Sequence, residues 1–201
     1  MTPKDNSSSK SQLHDERREQ IKQAALKVFA RRGLEGTKMS MIAAEAGVSD
    51  GLSYRYFKSK DEIFALLIRE AIQGSIEAME MVGQSEASPL ERFRSLTVEM
   101  LEDGNNYYFV LMQQAMSAES LPNEVAKQLQ SYSVQGILDL LTPIFIAGQK
   151  EGIFIDGDPG ELVMWYLTVV SSLMLIDVSS MMYGYSKPDT EFLLRLIVKD
   201  K

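Results

Sequence analysis

The amino-acid sequence predicts an all-α protein of about nine helices. Apolar residues recur three and four positions apart in one segment after another, which is the spacing of amphipathic helices. Alternation of apolar and polar residues, the pattern of strands, never continues beyond a few positions. Near the amino terminus, a glycine separates two short helical patterns. We therefore expect a three-helix head followed by a larger helical body.

The two short helices of the head are predicted at residues 39–46 and about 51–57. Gly47, between them, can adopt the left-handed conformation that ends a helix. Ser49 or Asp50 can cap the second helix, because either side-chain oxygen accepts from a free N–H of the first turn. Two helices joined by a tight glycine turn form a helix-turn-helix, whose second helix enters the major groove of DNA.

The side chains of the second helix suit DNA binding. Arg55, Leu52 and Ser53 are expected to face or flank the bases, where a guanidinium can donate twice to a guanine. Nearby tyrosine hydroxyls and the Lys60 ammonium are expected to hold phosphates. The alternative is an αα-hairpin inside a helical bundle, without nucleic-acid binding. The predicted DNA-binding residues are Thr37, Lys38, Ser49, Gly51, Leu52, Ser53, Tyr54, Arg55, Tyr56 and Lys60.

The same stretch resembles a known family. TKMSMIAAEAGVSDGLSYRYFKSKDEIF, preceded by IKQAALKVFARRG, is similar to the TetR family of bacterial transcriptional regulators over roughly residues 20–66. Ser53 departs from the pattern, because the family usually has an apolar residue there. The resemblance implies a DNA-binding head, a body that dimerises and binds a small effector, and most often repression. The matching positions are Ala24, Phe29, Gly33, Thr37, Ile42, Ala43, Ala46, Gly47, Val48, Ser49, Gly51, Tyr54, Tyr56, Phe57, Lys60 and Ile63.

We predict three segments along the chain. Residues 1–14 are polar and serine-rich, which predicts a disordered tail with an inert histidine, His14. Residues 15–66 form the DNA-binding domain, with its helix-turn-helix at about 39–58. Residues 67–201 form the ligand-binding and dimerisation domain.

The first helix of the head is expected from about Asp15 to Arg32, and Thr37 is a plausible amino-terminal cap for the second. A longer helix beginning at Asp61 would join the head to the body. Lys60 lies at the positive end of this helix, where a cation is unfavourable without a partner. That partner would be Asp61 or Glu62 or, as the resemblance implies, a DNA phosphate.

Charge is distributed unevenly along the chain. Residues 1–65 carry a formal charge of +3 and residues 66–201 a charge of −10, which together give the net −7 of the protein. A basic head can approach phosphates, while an acidic body is repelled from the duplex.

The body is expected to bind a small, mostly apolar effector that releases DNA. Methionine suits adaptable binding surfaces, and tyrosine and tryptophan combine an apolar ring with a polar tip. Pro143 should kink its helix and open space. The alternative is that these side chains form plain core. The predicted ligand-binding residues are Met100, Tyr107, Tyr108, Met112, Met116, Tyr132, Trp165 and Tyr166.

The segment from Leu162 to Ser186 has the length of a membrane span and a single charge, Asp177. Its serines and the lack of flanking Lys and Arg clusters favour a helix buried in protein instead. We predict a homodimer joined by helices at roughly 161–183 and 190–198, placing two heads on a palindromic operator.

Several classes of site have no residues to form them. The chain has no cysteine, one histidine, no glycine-rich phosphate loop and no nucleophile elbow, so we expect no cofactor, no metal and no enzyme activity. The lack of cysteine fits the cytoplasm. The sequence thus favours a ligand-responsive transcriptional regulator. The alternatives are a helical interaction module without DNA binding and a small cofactor-free helical enzyme.

Overall fold

The computed structural model describes residues 5–102, 105–130, 132–175 and 188–200, with side chains except at residues 5–11 and 105. These residues form ten helices, nine of seven residues or more and a last one of five, so the predicted all-α class is confirmed. The helices are α1 Asp5–Arg32, α2 Met39–Glu45, α3 Asp50–Tyr56, α4 Lys60–Gln84, α5 Pro89–Leu101, α6 Asn105–Ser117, α7 Asn123–Gln130, α8 Val134–Lys150, α9 Pro159–Met174 and α10 Thr190–Leu194.

Helix α1 is longer than expected. It begins at Asp5, so the prediction of a disordered tail over residues 1–14 is wrong from Asp5 onward. Residues 5–14 contain neither glycine nor proline. Once the stable part of α1 exists, each further residue costs little to add, because propagation gains one hydrogen bond per residue fixed.

The chain divides into two compact units. The first unit comprises Met1–Glu70 and Leu111–Gln128, and the second comprises Ala71–Val110 and Leu129–Lys201. The first unit thus contains the predicted head together with a segment from the middle of the chain. The functional boundary predicted between residues 66 and 67 stays a prediction.

The core of the first unit surrounds the helix-turn-helix. Phe29 of α1 and Phe64 of α4 meet edge to face, with ring centroids 5.2 Å apart. Ile42 of α2 and Phe57, just after α3, are fully buried with them. Leu111 of α6 is also fully buried in this unit. The apolar faces of the head helices are therefore covered, which fixes the direction of α3.

Aromatic rings fill the core of the second unit. Phe93 of α5 meets Phe145, Phe154 and Tyr166 edge to face at centroid distances of 5.7, 5.4 and 5.8 Å. Gly148 of α8 leaves room for this arrangement, since a Cβ there would lie 2.3 Å from the Phe154 ring. The core therefore ties α5, α8 and α9 together.

The carboxyl-terminal half differs from expectation in two places. The apolar spacing of residues 121–150 predicts one long helix, but the structure has two, α7 and α8, because Ser133 accepts from the Gly136 N–H at 3.2 Å and starts a new helix. The last helix, expected at 190–198, ends at Leu194, and Val198 instead forms an antiparallel bridge with Phe154.

The apolar segment from Leu162 to Ser186 is only partly described. Helix α9 covers its first part, and residues 176–187 lie outside the described part of the chain. Within the described ranges, no helix combines the length and the apolar character needed to cross a bilayer.

Candidate nucleic-acid interface

The turn between α2 and α3 has the predicted geometry. Gly47 has a φ of 65°, the left-handed conformation that glycine adopts without strain. The N–H of Val48 donates to the carbonyl oxygen of Ala43 at 2.9 Å, which closes the end of α2. Ser49, of the two candidates, is the cap of α3, because its hydroxyl oxygen accepts from the Leu52 N–H at 3.3 Å. The start of α3 is therefore fixed from both sides.

One face of α3 lies open to solvent. Gly51, Tyr54 and Arg55 are exposed, and the Tyr54 side chain is 55% accessible. A Cβ added at Gly51 would meet no atom within 4 Å, so nothing in the protein blocks close approach of a partner there. Leu52 is half-buried, and Lys38, just before α2, is exposed. This face has the small side chains and polar donors that a DNA groove requires.

Ser53 belongs to the core and not to this face. It is 0% exposed, and its hydroxyl donates to the carbonyl oxygen of Asp50 at 2.7 Å. The expectation that Ser53 faces or flanks bases is therefore wrong. The serine takes the position of an apolar residue behind α3 because its polar group is satisfied within its own helix.

Thr37 is also internal. Its hydroxyl donates to the Gly33 carbonyl oxygen at 2.7 Å, and the residue is 1% exposed. The amino-terminal cap of α2 is Lys38, which makes no side-chain cap hydrogen bond, so the prediction that Thr37 caps this helix is wrong. Buried in this way, the Thr37 side chain has no surface to offer to DNA.

The Lys60 ammonium pairs with backbone carbonyl oxygens in the structure. Its Nζ donates to the carbonyl oxygens of Leu34 and Thr37, at 2.7 and 2.9 Å. Both oxygens belong to the loop between α1 and α2. The ammonium thus offsets its unfavourable position at the positive end of α4 by two charge-assisted hydrogen bonds.

A second set of hydrogen bonds fixes the start of α4. The Glu62 N–H donates to the Ser59 hydroxyl oxygen at 3.1 Å, and the Glu62 carboxylate accepts from the Lys58 N–H at 2.7 Å. This exchange resembles a capping box and satisfies backbone donors that a helix start leaves free. It holds the exposed Lys58 between α3 and α4.

Helix α1 brings two further side chains to the end of α3. The His14 ring lies over Tyr56, with centroids 4.7 Å apart and planes 36° apart. The Arg18 guanidinium lies 4.7 Å above the Phe57 ring. His14 and Arg18 are four residues apart, the spacing that shares a helix face, and this was the signal that sequence reasoning missed.

Helix α1 is also joined to α4 by a nearly buried cation. Lys22 Nζ lies 2.8 Å from a Glu19 carboxylate oxygen and 2.7 Å from one of Glu70. Burial by itself would lower the pKa of Lys22, but hydrogen bonds and attraction from the two carboxylates raise that pKa above its ordinary value. The pKa of Glu19 is lowered despite partial burial, chiefly by its hydrogen bond from Lys22.

Comparison with known proteins identifies this architecture. The profile described as "Bacterial regulatory proteins, tetR family" matches residues 21–67. The "Fatty acid metabolism regulator protein" of Bacillus subtilis is 31% identical over 145 residues, which cover 69% of this chain and 71% of that protein. The chain belongs to the TetR family. It is therefore a DNA-binding transcriptional regulator, and the family and function predicted from the sequence are confirmed.

Other TetR-family members resemble it over shorter stretches or in fold. The "HTH-type transcriptional repressor KstR2" of Mycolicibacterium smegmatis is 28% identical over 109 residues, about half of each chain. The structure of the "ketosteroid transcriptional regulator KstR2 of Mycobacterium tuberculosis" matches with a TM-score of 0.70 and 23% identity, covering 92% of this chain and 96% of that one. The second likeness concerns the fold alone.

The residues predicted to bind the effector do not share one environment. In the second unit, Tyr166 is 2% exposed and packs in the aromatic core, whereas Trp165, the preceding residue of α9, is 64% exposed. These two side chains therefore do not line the same pocket. Met100, Tyr108 and Tyr132 are half-buried and Tyr107 is exposed in the same unit, while Met112 is buried and Met116 exposed in the first unit.

Tyr166 is held by a buried hydrogen bond. Its hydroxyl lies 2.5 Å from the Thr97 hydroxyl, which itself donates to the Phe93 carbonyl oxygen at 2.7 Å. Since Thr97 has one proton to donate, the Tyr166 hydroxyl must donate to Thr97. Burial raises the pKa of the Tyr166 phenol.

A surface groove of about 470 Å³ lies in the second unit, and its lining includes none of the predicted ligand residues. Arg92 at its edge donates to the carbonyl oxygens of Val82 and Gly83, at 2.8 and 2.6 Å, so its guanidinium is occupied by the end of α4. The groove is lined by Glu80, Gly83, Gln84, Arg92, Leu140, Pro143, Ile144 and Ala147.

Proposed function

We propose that this TetR-family regulator is a repressor that binds a palindromic operator as a homodimer and is released by a small, mostly apolar effector. The observation that carries the DNA-binding part is the exposed face of α3, which presents Gly51, Tyr54 and Arg55 on a helix fixed by the Ser49 cap. Such a helix enters the major groove with its side chains toward base edges.

The polar side chains at this surface divide into two roles. Arg55 would donate to a guanine, a contact worth about 1–3 kcal/mol when both donors are used. Lys38, Tyr54, Tyr56 and Lys58 would hold phosphates and set the position of α3 on the duplex. Ser53, Thr37 and Lys60 contribute by fixing the backbone behind this face, as their internal hydrogen bonds indicate.

The dimer would form through the exposed apolar surface of α9 and α10. The exposed large apolar side chains here are Trp165 and Val169 on α9, Leu175 just after it, Phe192 on α10 and Leu196 just after that helix. On a lone protein such a stripe costs free energy in water, and a second copy related by a two-fold axis would bury it. Two heads then meet two half-sites about 34–36 Å apart or a multiple of that distance.

The effector would bind in the second unit. Met100, Tyr107, Tyr108 and Tyr132 remain candidates there, because none of them is fully buried. Trp165 is better assigned to the dimer surface and Tyr166 to the core. Relatives named for fatty acid metabolism and for ketosteroids make acyl and steroid compounds the first classes to screen. A regulator of this kind would act in the cytoplasm, on the chromosome.

The test of DNA binding compares two exposed arginines of the first unit. A labelled duplex from the region upstream of the protein's own coding sequence is titrated, and affinity is read by fluorescence anisotropy. Arg55→Ala should lower affinity about 5- to 150-fold, the equivalent of 1–3 kcal/mol. Arg69→Ala, an exposed arginine on α4, should leave it within about twofold. Equal affinities of wild type and Arg55→Ala would refute this docking.

The test of effector control follows in two steps. Acyl and steroid compounds are screened by thermal shift, and those that stabilise the protein are added to the DNA complex. A compound that prefers the free state by about 1–3 kcal/mol should lower DNA affinity 5- to 150-fold. If every stabilising compound leaves DNA affinity unchanged, the proposed coupling is wrong even though DNA binding stands.

A further inference from the structure

The single histidine of the chain lies beside the candidate DNA-binding surface. Because α1 starts at Asp5, His14 is part of a helix and is carried to the end of α3, where its ring meets that of Tyr56 at 4.7 Å. The His14 side chain is 61% exposed. Tyr56 is one of the proposed phosphate donors, which places an imidazole next to a proposed phosphate position.

The charged groups around His14 are of both signs. On its own helix, Asp15 Oδ1 lies 3.6 Å from His14 Nδ1, Arg17 donates to Gln20 at 2.7 Å, and Arg18 lies over Phe57. From α3, the group in contact is the neutral phenol ring of Tyr56. The ring therefore has one carboxylate and two guanidinium groups near it on its own helix.

We propose that His14 is a proton-linked phosphate contact, so that the protein binds DNA more tightly as the pH falls through the neutral range. The inference rests on the proposed docking of α3. A neutral imidazole can only share a hydrogen bond with a phosphate, but an imidazolium adds a charge and releases a counterion from the duplex. Histidine is the residue whose ordinary pKa, about 6.5, makes this change occur near physiological pH.

The direction of the effect follows from linkage. A phosphate attracts an imidazolium but not a neutral imidazole, so DNA binding favours the protonated form of the ring. The added affinity is therefore fully present below the pKa of the free protein, and it is lost as the pH rises through the pKa of the complex. Each head can take up at most one proton, so a dimer can take up two.

The histidine content of the chain simplifies the experiment. Since His14 is its only histidine, one substitution removes all histidine titration. His14→Phe keeps an aromatic ring against Tyr56 without a titratable group, and His14→Gln keeps hydrogen-bonding capacity without the ring. Affinity for an upstream duplex of about 30 base pairs, enough for two half-sites, is measured by anisotropy from about pH 5.5 to 8 at constant ionic strength.

We expect wild-type affinity to be about 5- to 50-fold higher at the acidic end than at the basic end. Both variants should be flat over this range, so each should fall further below the wild type at the acidic end than at the basic end. Calorimetry in two buffers of different ionisation enthalpy should show proton uptake near the ordinary histidine pKa by the wild type and none by either variant.

Two results would overturn the proposal. One is an unchanged pH profile in His14→Gln, which would assign the proton to another group. The other is an affinity lowered equally at every pH in both variants, which would make His14 a packing residue only. A wild type that binds the duplex without pH dependence refutes this inference alone, whereas an Arg55→Ala variant of full affinity refutes the docking on which it rests.

Discussion

Lys60 and Thr37 are joined by a hydrogen bond of 2.9 Å from the lysine Nζ to the threonine carbonyl oxygen. The same ammonium donates to the Leu34 carbonyl oxygen at 2.7 Å, so one side chain at the start of α4 holds both ends of the turn between α1 and α2. The Thr37 hydroxyl in turn donates to Gly33 at the end of α1. Lys60 therefore stabilises the loop between α1 and α2 inside the head.

We predict that Lys60→Met destabilises the head without changing the salt dependence of DNA binding. Removing the ammonium leaves two partly buried carbonyl oxygens without their donor, which should cost about 1–2 kcal/mol of the free energy of unfolding. Urea denaturation followed by circular dichroism measures this cost. DNA affinity should fall through loss of order in the turn, while the slope of log affinity against log salt stays constant.

The matched control is Lys58→Met. Lys58 is exposed and lies between α3 and α4, so its loss should leave unfolding unchanged and reduce the salt slope by about one per head. The opposite pattern, with Lys60→Met flattening the slope at full stability, would place the Lys60 ammonium on a phosphate after all.

Three polar residues of the head show which contacts the sequence alone does not predict. The spacing of apolar residues, Gly47 and the cap position suffice to predict α2, the turn and α3. Each of these features depends on residues only a few positions apart in the chain. Ser53, Thr37 and Lys60 have polar groups that suit DNA equally well, but the structure uses them on the carbonyl oxygens of Asp50, Gly33 and Leu34. That choice depends on how the helices pack, which the pattern of residues does not contain.

The body shows the same limit. Trp165 and Tyr166 both suit a ligand pocket by residue type, yet as neighbours on one helix they point to different surroundings. The position of His14 escapes prediction for a related reason, because a polar segment without an apolar stripe predicts disorder. Its contact with Tyr56 depends on α1 continuing past the point where its apolar stripe begins.

We predict that Lys22→Met loosens α1 from α4. The change keeps the aliphatic stem but leaves the Glu19 and Glu70 carboxylates without their shared cation, at a cost of about 1–2 kcal/mol because both can regain some water. Chemical denaturation at neutral pH measures the loss. Lys27→Met, on the exposed side of the same helix, is the control and should change stability by less than about 0.5 kcal/mol.

The same variant should flatten the acid dependence of stability. The pKa of Glu19 is lowered in the folded protein, so its contribution is present above the ordinary value near 4.5 and is lost as the pH falls through the lowered value. Lys22→Met should lose less stability than the wild type over this acidic range. Parallel curves for the two proteins would mean that Lys22 does not hold Glu19.

We predict that Tyr166→Phe costs about 1 kcal/mol at neutral pH, because Thr97 loses the donor of a buried hydrogen bond while the ring still fills the core. The difference should shrink in alkali. The raised pKa of Tyr166 means that the unfolded chain releases the phenol proton first, so wild-type stability falls as the pH rises past about 10. The Tyr166→Phe variant has no phenol to ionise, so its stability should not fall for this reason. Urea denaturation at neutral pH and near pH 10.5 separates the two proteins, and an unchanging difference would contradict the assignment.

Trp165→Arg should abolish the dimer. Trp165 is 64% exposed on α9, so an arginine there meets water in the single chain and should leave its folding intact, but two copies facing each other would bury like charges. Light scattering at micromolar concentration should give the mass of a dimer for the wild type and of one chain for the variant. Met81→Arg, an equally exposed apolar position on α4, should remain dimeric and separates a specific interface from general surface hydrophobicity.

Loss of the dimer should also weaken binding to the palindromic duplex, because the second head then no longer binds at high effective concentration. A Trp165→Arg protein that keeps both its dimer mass and its operator affinity would move the interface away from α9.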